Sequence, residues 1–86
     1  MNRIKDGDFL ICTNPLYDED INLFQIVKIL DVKYDSSNFV IEATVRYSLI
    51  GHTIFDAHKS YTYDVVLSYD IIKKHFKRLN LETLYN

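Results

Sequence analysis

Two runs with period-two alternation of apolar and polar residues, "LFQIVKILDVKY" and "FVIEATVRYSLI", flank the four polar residues "DSSN" at 35–38. Side chains on a strand point alternately to opposite faces, so this period marks a half-buried strand. Two such strands joined by a short polar stretch make a hairpin, and Asp, Ser and Asn suit a four-residue loop built on a type I turn. Closing that loop pairs Tyr34 with Phe39, which sets Val32 opposite Ile41, Leu30 opposite Ala43, Ile26 opposite Tyr47 and Phe24 opposite Leu49. One face then carries nearly every apolar side chain of both strands, and a slip of one residue would turn one strand's set into water. Two details break the pattern: Lys28 intrudes on the apolar face opposite Val45, while Val27 and Ile29 point away. A bulge or sharp bend near Lys28 accommodates both.

The remaining segments fall around this hairpin. "KDGDFLICT" supplies a first short strand with Phe9 and Ile11 on one side, entered through an Asp6-Gly7-Asp8 turn, and "TNPLYDEDIN" reads as a loop. Past Gly51, "HTIFDAHKS" is a loop or irregular edge, and "YTYDVVL" is a last strand with Tyr61, Tyr63, Val65 and Leu67 inward. Ser68 is a natural helix N-cap, with Asp70 in the first turn where the dipole favours negative charge, and the predicted helix runs from about Tyr69 to Leu79. The expected fold class is mainly β with one C-terminal helix, as a small antiparallel SH3-like barrel or a bent antiparallel sheet. Residues 1–80 are expected to form a single domain and 81–86 a tail.

The order of short strand after "KDGD", acidic loop, long hairpin, short strand and terminal helix resembles the small SH3-like or Tudor-like barrels over roughly residues 5–79, and "DGDFLI" matches the Gly-Asp-apolar entry of such barrels. The resemblance implies a barrel fold and assigns no binding residues.

Composition narrows the function. The formal charge of −2 gives the whole molecule no polyelectrolyte attraction to nucleic acid or anionic lipid. Cys12 is the single cysteine, which excludes an internal disulfide and favours the reducing cytoplasm. "MNRIKDGDFL" lacks the apolar core of a signal peptide, and no apolar run is long enough to span a membrane. No glycine-rich phosphate loop, placed carboxylate pair or activated nucleophile is present, so no catalytic activity and no cofactor are expected. His52, Asp56 and His58 are zinc-type ligands at a spacing that matches no standard site, and the acidic loop lacks the calcium-loop pattern, so no metal is expected either.

Two surfaces remain. The first is a protein-binding set: Tyr17 beside Asp18, Glu19 and Asp20 in the acidic loop, and the edge segment from His52 to Lys59. An exposed tyrosine is a good interface anchor, and an acidic loop raises the association rate with a basic groove. The second is "IIKKHFKRLN", whose Ile72, Phe76 and Leu79 form an apolar stripe and whose Lys73, Lys74, Lys77 and Arg78 lie outside it, as a phosphate-binding set would. In one helix, Lys73 with Lys77 and Lys74 with Arg78 would be like charges four apart, costing about 0.2–0.5 kcal/mol each. Four basic and two acidic side chains fall in residues 68–86, leaving six basic and ten acidic for the first 67, so the chain is dipolar. The expected function is a non-catalytic binding module, a small regulator or inhibitor of phage or mobile-element type acting on a protein partner, as monomer or homodimer. The alternative is a nucleic-acid-binding regulator that uses the basic cluster.

Overall fold

The computed structural model describes residues 4–50 and 60–79. Five antiparallel strands, β1 (Phe9–Cys12), β2 (Ile26–Tyr34), β3 (Val40–Ile50), β4 (Ser60–Ser68) and β5 (Phe76–Leu79), form one open sheet in the order β4-β3-β2-β1-β5. A single α-helix, α1 (Tyr69–His75), joins β4 to β5. The expected mainly β class with one C-terminal helix is therefore observed, as an open bent sheet.

The connection between β4 and β5 explains the bend. A flat sheet would hold its two edge strands about 19 Å apart, four spacings of about 4.8 Å. Seven helical residues rise only about 10 Å. The edges must curl toward each other where α1 crosses, and α1 touches β3, β4 and β5 across the mouth of the curl. Ile72 of α1 and Phe76 of β5 fill the concave side with Leu10, Val27, Ile29 and Val45, all essentially inaccessible to water.

The entrance to β1 follows its sequence. Gly7 takes φ 87, which a glycine adopts without a Cβ clash, in a turn closed by Asp8 N donating to Lys5 O at 3.1 Å. Lys5 N in turn donates to Asp8 Oδ2 at 3.0 Å. Within β1, Leu10 and Cys12 face the core, while Phe9 and Ile11 share the outer face.

The β2–β3 hairpin forms, but its register differs from the expected one. Asp35 still belongs to the ladder: its N–H donates to Phe39 O at 2.9 Å, and its carboxylate accepts from Ser37 N at 2.8 Å and Phe39 N at 3.0 Å. The loop is thus three residues, a type I turn closed by Asn38 N to Asp35 O at 3.0 Å, with Asn38 at φ 65. Tyr34 consequently pairs with Val40, not Phe39, and Phe39 is exposed at the tip. Two register shifts follow, between Lys33 and Tyr34 and between Ile29 and Asp31, leaving Ile41 and Leu30 as the extra residues. Val32 faces Ala43, and Lys28 faces Arg46. The bulge at Leu30 resolves the Lys28 anomaly two residues beyond its expected place. It reverses the parity of β2, so that Val27 and Ile29 enter the core while Ile26 and Lys28 turn outward.

The helix is shorter than expected. Ser68 does cap it, its Oγ accepting from Ile71 N at 3.3 Å. It stops at His75, and Phe76–Leu79 is extended and paired with β1, Cys12 facing Phe76 and Phe9 facing Leu79. Helix and strand compete for these four residues, and the strand gains the otherwise open edge of β1. At the crossing, His75 O accepts from Thr13 N at 2.9 Å and Asn14 N at 3.2 Å. Arg78 points to the same side as Phe76 and meets Asp8 at 3.4 Å.

Candidate functional site

The acidic loop is built on a pinched base. Leu16 and Ile21 exchange two backbone hydrogen bonds, of 2.9 and 3.1 Å, with Ile21 fully buried. The four residues between them have little freedom left. Tyr17–Glu19 make one 3-10 turn, and Asp20 takes φ 55, a left-handed conformation that aspartate tolerates better than most residues. Tyr17 is thereby held out, 78% exposed, with Asp18 and Asp20 exposed beside it. Among the described residues no lysine or arginine pairs with Asp18, Glu19 or Asp20, so no cation there offsets their charge.

A second turn lies immediately after, and nothing in "NLFQ" announces it. Gln25 N donates to Asn22 O at 3.1 Å, Asn22 N donates to Gln25 Oε1 at 3.2 Å, and Gln25 Nε2 donates to Ser48 O at 2.9 Å. Phe24 N donates to Cys12 O at 2.7 Å. These bonds hold Phe24 at φ 67, where a bulky side chain is strained by roughly 1–2 kcal/mol. The result is an aromatic ring 69% exposed with Leu23 48% exposed at its side. Period-two alternation placed Phe24 on β2 facing Leu49; instead it sits outside the strand in a turn. Phenylalanine is not a residue associated with left-handed backbone, so the sequence carries no signal for this position.

Tyr47 joins the loop to the sheet. Its ring is in the core and its hydroxyl donates to Glu19 Oε2 at 3.4 Å. Burial first, and then the carboxylate of Glu19, push its phenol above the ordinary value of 10.0. Tyr63, its partner across the β3–β4 ladder, stacks on it with ring centroids 5.9 Å apart. Tyr61 and Tyr63 do lie on the inner face with Val65 and Leu67, but they remain 42% and 44% exposed because the core ends at Tyr47. On the outer face Arg46 makes a two-pronged contact with Asp64, 2.8 and 3.0 Å, and these bonds lower the Asp64 carboxyl below its usual range.

The four cations of the basic cluster do not share one face. Lys73 and Lys74 sit on α1, and Lys77 and Arg78 alternate on β5, one outward and one inward. Lys73 lies 3.8 Å from Asp70 and 5.0 Å from the centre of the Tyr69 ring, and Arg78 is engaged by Asp8. The like-charge pairs at four-residue spacing do not arise, because the helix ends between their members. His75 turns inward, its Nδ1 2.7 Å from Asn14 O, which fixes a proton on that nitrogen in the neutral ring.

His52 and Lys59, together with Asp56 and His58, lie outside the described residues. Among the described residues no three His, Cys, Asp or Glu side chains come together as a metal site, and no helix is long and apolar enough to cross a membrane. Cys12 is a buried thiol donating to Asn14 O at 3.3 Å. Compared with known proteins, the chain matches no protein-family model, no curated protein and no solved structure.

Proposed function

We propose that this chain is a non-catalytic binding module that docks a protein partner on Tyr17, Leu23 and Phe24, with Asp18, Glu19 and Asp20 alongside. The observation that supports this most is Phe24. A residue held in a strained conformation, pinned by four hydrogen bonds around its turn, presents an aromatic ring to water. Strain of that kind persists where the exposed group is used. The neighbouring carboxylates give the partner's chemistry: a basic segment carrying an apolar anchor, drawn in by charge and held by the aromatic rings. A small cytoplasmic regulator or inhibitor on an SH3-like layout, of the sort phages and mobile elements carry, fits this reading.

A random-peptide display library tests it. The protein is expected to enrich peptides rich in Lys or Arg with an aromatic or aliphatic residue nearby, and the enrichment should vanish in Phe24→Gly. Phe24→Gly should also raise the unfolding free energy by about 0.4–1 kcal/mol, read as a higher denaturation midpoint, because glycine relieves the left-handed strain. A variant that binds as before, or a selection with no basic preference, would rule the reading out.

Nucleic-acid binding is the second reading, carried by Lys74 and Lys77, the two clustered cations with no ion-pair partner among the described residues. Two phosphate contacts imply a log–log salt slope of about −2 on duplex DNA, half that of a four-cation patch.

A further inference from the structure

The two edges of the sheet are not alike. β5 has four residues and carries Lys77 and Arg78, the kind of short, basic edge that resists strand addition. β4 has nine residues, runs against β3 without a register shift, and contains neither lysine, proline nor bulge. Its one charge, Asp64, is already matched by Arg46. Among the described residues, the only backbone that pairs with β4 is β3.

The direction of its free groups follows from the ladder. Ile29 N and O bond to Asp8 O and Gly7 N at 2.8 Å each, so Ile29 faces β1 with its backbone. Backbone groups alternate along an antiparallel strand, so Val45, opposite Ile29, directs its own toward β4 and bonds Val65. Thr62, Asp64 and Val66 therefore aim their N–H and C=O groups away from the sheet. Beside this row of donors and acceptors, unpaired among the described residues, lie the half-exposed rings of Tyr61 and Tyr63 on one face and exposed Val66 on the other.

We propose that β4 pairs antiparallel with β4 of a second copy, giving a two-fold dimer in which one sheet runs through both chains. A two-fold presents each strand with its own reversed pattern, so donors meet acceptors without further adjustment. Charge selects the register. Asp64 facing Asp64 is repulsive, whereas setting Thr62 opposite the second copy's Asp64 places Tyr63 on the axis and Tyr61 against Val65. This register also keeps the contact clear of α1, which begins at Tyr69. A single strand pair is a small interface, so the association is transient and concentration-dependent. This dimer is independent of the docking surface at Tyr17 and Phe24.

Sedimentation equilibrium of the intact chain from about 1 to 500 µM tests the inference, transient contacts of this size being populated across that range. The mean mass should rise toward twice the monomer for the wild type and for Phe24→Gly, and stay at the monomer for Thr62→Pro and Val66→Lys, with circular dichroism confirming that each is folded. Thr62→Pro removes an N–H that points away from β3, so the internal ladder survives. Val66→Lys supplies a second route should the proline distort the strand. Tyr63→Cys should cross-link to itself under mild oxidation, because the axial pair is a close, non-hydrogen-bonded one. A wild type that stays monomeric at the highest concentration, a dimer untouched by Val66→Lys, or a dimer in which Tyr63→Cys does not cross-link overturns it.

Discussion

Tyr47 places a phenol where the core ends and two carboxylates begin. Its ring is packed, its hydroxyl leans on Glu19, and Asp20 adds to the same field. The neutral form is favoured in the folded state, so the folded pKa lies above 10.0, the value of the free side chain. The stability this contributes is complete below about pH 10 and is lost as pH rises through the folded value. Urea midpoints followed from neutral to strongly alkaline pH should therefore fall more steeply for the wild type than for Tyr47→Phe, with little difference between them at neutral pH. Parallel curves would mean that the hydroxyl is free of the acidic loop. Residue identity alone announced the loop, the exposed tyrosine and the absence of a nearby cation in sequence. It could not announce Phe24, because the left-handed turn there is imposed by the side chain of Gln25 reaching across to Ser48.

Ser68 shows where an element was readable from local chemistry. A hydroxyl before an acidic first turn is a start signal that acts over three residues, and its bond to Ile71 N is present. Ser68→Ala should cost about 1 kcal/mol and Ser68→Gly only a few tenths, read as shifts in the denaturation midpoint. Equal losses in the two variants would show that the cap is idle. The end of the same helix was not readable, because it is decided by β1, more than sixty residues earlier in the chain. The stripe of Ile72 and Phe76 satisfies a helix and a helix-to-strand transition equally well, since both residues are buried in either case. β2 failed for a related reason. Alternation reports that a strand is half-buried, but a single extra residue at Leu30 exchanges its faces, and one loop residue fewer shifts its partner. Strand existence is written locally; register is settled by the turn and by what the opposite strand offers.

At the scale of the molecule, Phe76 holds the curl together. It is 1% exposed, it belongs to the strand that completes β1, and it follows directly on the helix that draws the two edges near each other. Phe→Ala changes in a core cost about 3–5 kcal/mol. A chain of this length has on the order of 4–13 kcal/mol in total. Phe76→Ala should consequently remove roughly a quarter or more of the stability and lower the urea midpoint in proportion. A shift under 1 kcal/mol would mean that the concave side is not the main core.

The return of β5 to β1 also orders events during synthesis. A nascent chain has the β2–β3 hairpin and its neighbours in hand while β1 still waits, one side unpaired, for partners that leave the ribosome about sixty-five residues later. Until Phe76 to Leu79 emerge, that bare margin invites any passing extended peptide, so the chain is most open to aggregation in the interval between the exit of β1 and the exit of β5.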